Sequence, residues 1–129
     1  MRMLHTISLT LAIGLIGHSE LADAKPAASR SEKRCGWINN PTPANWWLTD
    51  AAGQWTIGLQ GGHQAPGLNS LPDMRTKGWV ETNGSYGYGC ACMQVTTDEP
   101  TGRVTRIYSA TPLPIKRCIA DRKLPPRDR

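Results

Sequence analysis

Four cysteines constrain the fold of this 129-residue chain more than any other feature. Cys90 and Cys92 flank a single residue, and on a strand their Cα atoms would lie about 7 Å apart, at the limit of disulfide geometry. We therefore expect Cys35 to pair with one of them and Cys118 with the other, and the sequence leaves that choice open. Either arrangement ties both ends of the domain to one central strand. Each bond contributes roughly 2–4 kcal/mol to a small domain.

Residues 1–24 read as a cleavable signal peptide. A polar start with Arg2 precedes an apolar run at 7–17, and the small residues Ala22 and Ala24 precede the proposed cleavage site. The apolar run is shorter than the about 20 residues of a membrane-spanning helix. We therefore expect a periplasmic or secreted protein with no integral membrane segment after cleavage. Such a compartment favours disulfides.

Composition divides the remaining chain into three parts. Residues 25–33 are polar, which predicts a flexible leader. Residues 34–121 form the predicted domain, and residues 122–129 form a charged tail that we expect to be loose. The formal net charge is +5, with basic residues concentrated at the two ends. We interpret these charges as solvated tails and expect no nucleic-acid partner.

Short alternating segments separated by Gly and Pro predict an all-β domain. We expect a small antiparallel meander, either a sandwich-like sheet or a small barrel, stapled by two disulfides. In the first hairpin, pairing Leu48 with Trp55 and Trp46 with Ile57 makes one face wholly apolar. The same register leaves Trp47 on the outer face.

The Asn-Gly pair at 83–84 is the strongest turn signal in the chain. With these as the two turn residues, Val80 faces Gly87 and Trp79 faces Tyr88. The glycines of this region let a large side chain or the backbone approach closely. This register gathers one aromatic and acidic patch, made of Trp79, Glu81, Tyr86 and Tyr88.

Residues 60–75 form a long loop, which is either disordered or functional in so small a domain. His63, the one histidine left after cleavage, lies in this loop. We expect it to be an exposed loop residue and not a catalytic one. Glu81 lacks a clear second carboxylate for hydrolysis, with Asp73 the only nearby candidate. We therefore expect a protein that is not an enzyme.

Aromatic residues give the best argument for binding. The chain has five Trp, three Tyr and no Phe, so every aromatic side chain carries a polar group. Sugar rings stack on such faces. The competing interpretation is that the segments brought in by Cys35 and Cys118 cover the aromatic and acidic patch. The candidate binding residues are Trp47, Trp79, Glu81, Tyr86, Tyr88 and His63.

Four segments carry a resemblance to a known family. Residues 34–50 open with Arg-Cys-Gly-Trp, residues 53–58 read Gly-Gln-Trp-Thr-Ile-Gly, residues 60–62 read Gln-Gly-Gly, and residues 82–92 end in Cys-Ala-Cys. Together they resemble a bacterial family of short exported proteins classed as a domain of unknown function. The resemblance implies bacterial origin, export and one domain with these four cysteines. It implies no activity, ligand or catalytic residue.

The sequence favours a non-enzymatic exported binding module, for a protein partner or a cell-wall glycan, with an inhibitor-like role as one form. The first alternative is a thiol redox or metal-binding protein that uses Cys90 and Cys92, although the Cys-x₂-Cys spacing typical of structural zinc is absent. The second is an orphan hydrolase centred on His63 or Glu81. We expect a monomer with no metal and no cofactor.

Overall fold

The computed structural model describes Gly17 and residues 30–127, so the predicted signal peptide and most of the leader lie outside the part discussed below. Nearly all regular structure is β. The elements are β1 (Glu32–Thr42), β2 (Asn45–Thr49), β3 (Gln54–Gly58), a 3₁₀ turn (Leu68–Ser70), β4 (Val80–Asn83), β5 (Tyr86–Asp98), β6 (Arg103–Leu113) and α1 (Ile115–Ala120). In this part of the chain, no helix is long and apolar enough to span a membrane.

The six strands form a mixed sheet that closes on itself. Their order is β1-β2-β3-β6-β5-β4, and β5 also pairs with β1. All pairs are antiparallel except β3 and β6, which run parallel where Thr56 meets Arg103. The predicted all-β class with two disulfides is confirmed, and closure makes the fold a small barrel. The parallel contact arises because the chain crosses over after β3 and returns to it only with β6.

The barrel has a recognisable connectivity once the short β4 is set aside. The other five strands close in the order β1, β2, β3, β6, β5 and back to β1. This is the connectivity of the five-stranded Greek-key barrel known as the OB-fold. Strand β4 pairs only with the start of β5, at residues 86–88, and β6 pairs with the same edge of β5 from Cys90 onward.

The first hairpin has the predicted register over most of its length. Leu48 pairs with Trp55, and the side chain of Leu48 is fully buried in the main core. The pairing of Trp46 with Ile57 was wrong, because a bulge beside Trp46 places it opposite Gly58. A bulge adds one unpaired residue to a strand and so shifts the pairing beyond it.

Two disulfides tie the barrel wall together, and they resolve the pairing that the sequence left open. Cys35 bonds Cys92, and Cys90 bonds Cys118. The register of β1 on β5 explains the choice, because it places Cys35 directly opposite Cys92. Cys90 is left to hold α1 against the outside of β5, since α1 carries Cys118.

The predicted register of the second hairpin was wrong by one residue. Val80 pairs with Tyr88 instead of Gly87, and the turn residues are Gly84 and Ser85. A bulge between Glu81 and Asn83 accounts for the shift. The pairing requires glycine at 87, because a Cβ there would overlap the carbonyl oxygen of Val80.

The long loop at 60–75 packs against the barrel. Ala65 and Met74 are buried in the main core, 3% and 4% exposed. The loop backbone also bonds to two strands: Ala65 N–H donates to Ile57, and Ile107 N–H donates to Pro66, each at 2.9 Å. The loop therefore completes the core, which gives it a structural role.

Both predicted domain boundaries lie inside ordered structure. Glu32 and Lys33, expected in the leader, belong to β1. At the other end, Leu124 is 7% exposed and packs in a second apolar cluster with Trp37 and Tyr88. Residues 122–127, called the C-terminal segment below, therefore pack along the outside of the barrel.

Candidate functional site

The structure separates Trp79 from Tyr88, two of the residues predicted to form one aromatic patch. Trp79 packs against the main core, whereas Tyr88 belongs to the second cluster, outside the barrel wall. The ring of Trp79 lies against Gly89, and its indole N–H donates to the carbonyl of Ser85 at 3.2 Å. Glu81 is exposed. The one-residue register shift explains the separation. It places Val80 opposite Tyr88, so Trp79 turns to the other face of the sheet.

Tyr88 is 6% exposed because the chain beyond Cys118 covers it. Its ring makes an edge-to-face contact with the ring of Trp37, with centroids 5.8 Å apart, and the guanidinium of Arg127 lies 4.0 Å from the centre of the Tyr88 ring. His63 is half-buried, and its Nε2 lies 2.8 Å from the carbonyl oxygen of Val104. Both side chains are thus engaged in contacts within the protein.

Among the predicted site residues, Trp47 lines a groove on the surface of the described structure. This groove, called the Trp47 groove below, has a volume of about 390 Å³ and lies on the outer face of β1, β2 and β3. Trp47 itself is half-buried. The lining residues are Trp37, Asn39, Pro41, Trp47, Thr49, Gln54, Pro125, Pro126 and Arg127.

Strand pairing places the polar groups of the groove beside the Trp47 ring. Asn39 on β1 is the direct partner of Trp47 on β2, and Thr49 pairs with Gln54 on β3. Directly paired residues hold their Cβ atoms about 4.5–5.5 Å apart, within reach of one ligand. The groove therefore combines an aromatic face with two amides and a hydroxyl.

The C-terminal segment forms the second wall of the Trp47 groove. The indole N–H of Trp37 donates to the carbonyl of Pro125 at 2.9 Å. Arg127 donates from Nη1 to Oδ1 of Asn39 while it stacks on Tyr88. Burial lowers the pKa of Arg127, and Tyr88 opposes this effect, but an arginine stays protonated near neutral pH. The segment thus fixes one positive charge at the rim.

A second depression, of about 320 Å³, brings Trp79 and Tyr86 together with Trp46. Its charged residues, Asp73 and Arg75, bond to each other at 3.0 Å and are 54% exposed. This depression therefore presents a neutral pair where the Trp47 groove presents an arginine. No cluster of three or more His, Cys, Asp or Glu side chains able to hold a metal occurs among the described residues.

A buried ion pair stabilises the strand end beside the groove. Nη1 of Arg34 lies 2.7 Å from Oδ2 of Asp50, and its guanidinium stacks 3.9 Å from the Trp55 ring. Burial by itself raises the pKa of Asp50, but hydrogen bonds from Arg34, Trp55 and the Ala52 N–H together outweigh it and hold the pKa below its ordinary value. The sequence did not identify Arg34 and Asp50 as partners.

The fold and its cysteines define a small disulfide-stapled β-barrel domain. A family model described as "Protein of unknown function (DUF4087)" matches residues 29–125, and the chain belongs to this family. The resemblance to a domain of unknown function is thereby confirmed. No curated protein and no solved structure gave a match.

Proposed function

We propose that this protein is an exported, non-enzymatic binding module that holds a glycan in the Trp47 groove. The observation that carries the proposal is the position of Trp47 on the outer face of the barrel, beside Asn39 and close to Gln54. Sugar rings stack on Trp faces, and their hydroxyls bond to amides, which both donate and accept. Carbohydrate sites need this combination of flat apolar surface and planar polar groups.

The chemistry of the lining favours binding over cleavage. None of the nine lining residues is acidic. Most glycoside hydrolases need two carboxylates that flank the bond to be broken. A sugar in this groove would meet an aromatic face, amides and an arginine. These groups support recognition of a sugar but not its cleavage.

The barrel connectivity also favours ligand binding at the surface that carries the Trp47 groove. OB-fold barrels bind oligosaccharides and oligonucleotides on the face formed by strands two and three. The Trp47 groove lies on the corresponding strands here. This support is an analogy between folds, since function resides in particular sites.

The burial of the Cys90–Cys118 bond favours a structural role over thiol exchange for this pair. Cys90 and Cys118 are each 3% exposed and pack in the second apolar cluster. Reactive cysteines need a partly exposed position where an attacking thiolate can reach them. A redox role for Cys90 is therefore less well supported than binding, whereas Cys92 and its partner Cys35 are half-buried.

Binding is tested by retention of the purified protein on a panel of immobilised polysaccharides, with two variants. We expect Trp47→Ala to lose retention, because the stacking face is removed. Tyr108→Ala is the matched control, since Tyr108 is an aromatic residue on β6 that is 54% exposed and does not line the groove. The proposal fails if no polysaccharide retains the wild type or if Trp47→Ala binds as well as Tyr108→Ala.

Export has its own test. The intact mass of the protein recovered from outside the cytoplasm should correspond to a chain that begins at Lys25, with no thiol available for alkylation. A mass that includes residues 1–24 would contradict export by signal-peptide cleavage.

A further inference from the structure

We propose that the Trp47 groove selects glycans that carry carboxylate groups, and that Arg127 is the residue that sets this specificity. The inference rests on the proposed function and names the ligand class of the same site. It goes beyond a general affinity for sugars, because it assigns one charged partner on the protein to one charged group on the ligand.

The charge of the groove comes from a single side chain. Arg127 is the one charged residue of the lining, and the lining contains no carboxylate. The ion pairs among the described residues use Arg34 and Arg75 and leave Arg127 with no carboxylate partner in that part of the chain. A carboxylate on the ligand would supply a counter-charge.

The guanidinium is held in place before any ligand arrives. Tyr88 lies beneath it at 4.0 Å, and Asn39 accepts a hydrogen bond from Nη1. The bond from Trp37 to Pro125 anchors the backbone two residues earlier. A side chain that is already ordered loses little entropy on binding, so more of the contact energy appears as affinity.

The geometry matches a planar ligand group. Arginine presents five N–H donors in a rigid fork, and the bond to Asn39 engages one of its two terminal nitrogens. A carboxylate accepts two parallel hydrogen bonds from such a fork. Because Asn39 is the strand partner of Trp47, a sugar stacked on Trp47 would bring an acidic substituent to the guanidinium.

The test compares each acidic polysaccharide with its own carboxyl-reduced form. Polygalacturonate, alginate and hyaluronate are immobilised in both forms, and dextran sulfate reports attraction to charge alone. Retention is measured in about 0.15 M salt, where exposed charges are screened beyond about 8 Å. We expect at least one acidic polymer to bind about tenfold more tightly than its reduced form, the effect of one charge-assisted contact.

Two variants with the same change in net charge separate a specific contact from general attraction. Arg127→Gln should bring affinity for the acidic polymer down to that for the reduced form and leave the latter unchanged. Arg122→Gln should keep the preference, because Arg122 is exposed and does not line the groove.

Three results would overturn the inference: equal binding of acidic and reduced forms, equal losses in the two variants, or tighter binding of dextran sulfate than of any carboxylate polymer. Retention of reduced or neutral polymers that depends on Trp47 would leave the proposed function standing while the inference fails. Absence of retention on every polymer would refute both.

Discussion

Replacing Asp50 with Asn tests how the buried ion pair holds the end of β2. Oδ1 of Asp50 accepts hydrogen bonds from the indole N–H of Trp55 and from the backbone N–H groups of Ala52 and Gly53. Oδ2 faces Arg34. Asn keeps Oδ1 and its three bonds but turns an NH₂ group toward the guanidinium. The substitution therefore removes the Arg34 contact and places two donors face to face.

The expected cost follows from the burial of the pair. The side chains of Arg34 and Asp50 are 11% and 9% exposed. Removing one partner of a buried pair costs about 3–5 kcal/mol, because it leaves a buried charge without compensation. Arg34 keeps Glu32 and the Trp55 ring, so we expect a loss of about 3 kcal/mol in the free energy of unfolding near neutral pH.

The loss should depend on pH with a definite sign. The pKa of Asp50 is lowered in the folded state, because the hydrogen bonds to its carboxylate outweigh burial. The stability it contributes is complete above the unfolded-state pKa and disappears as the pH falls through the folded-state pKa. The gap between wild type and Asp50→Asn should therefore be widest near neutral pH and narrow in acid.

Urea denaturation followed by Trp fluorescence, near pH 7 and near pH 3, measures this gap. Asp73→Asn is the control, since it breaks an ion pair whose two side chains are 54% exposed and should barely change stability. A loss below about 1 kcal/mol for Asp50→Asn, or a loss of the same size at both pH values, would refute the reasoning.

Three further predictions concern stability and the C-terminal segment. Replacing Cys90 and Cys118 together with Ser should cost about 3.5 kcal/mol in urea denaturation, the loop-closure value for a sequence separation of 28. Gly87→Ala should lose at least about 2 kcal/mol, because its Cβ would overlap a carbonyl of β4, whereas Gly62→Ala, with neighbours no closer than 3.6 Å, should not disturb packing. Trp37→Phe should speed tryptic cleavage in the C-terminal segment, since it removes the bond to that segment, and unchanged cleavage would contradict the anchoring role.

Local alternation was sufficient to predict the first hairpin near its turn, although not the bulge beside Trp46. Leu48 and Trp55 are buried and paired as expected, because only that register gives one wholly apolar face. The same register placed Trp47 outside, where it lines the groove. The exclusion of a Cys90–Cys92 bond was also predictable, from strand geometry alone.

The second hairpin shows where local signals are insufficient. The Asn-Gly pair predicted a turn, but the bulge before Asn83 moved the turn by one residue. Glycines at 87 and 89 make room for the Trp79 ring, and this packing determines which face Trp79 takes. The sequence indicated a close approach at these glycines without indicating what approaches.

The most distant contacts could not be predicted from periodicity. The parallel contact of β3 with β6 and the docking of the C-terminal segment join parts of the chain far apart in sequence. Because charged residues flank Leu124 in the sequence, we did not predict that this segment packs on the barrel. Arg127 and Asn39 were therefore not predicted as groove residues. One signal was available, since Leu124 and the two prolines after it interrupt the charges.

The most direct test of glycan binding in the Trp47 groove is an NMR titration of the five Trp indole N–H signals with an oligosaccharide of the best-retained polysaccharide. The indoles of Trp55 and Trp79 donate to Asp50 and Ser85, none of these four residues lines the groove, and both signals should stay in place. The account predicts that the Trp47 signal shifts in step with binding. Binding that leaves Trp47 unmoved, or that moves Trp79 instead, would contradict the central claim.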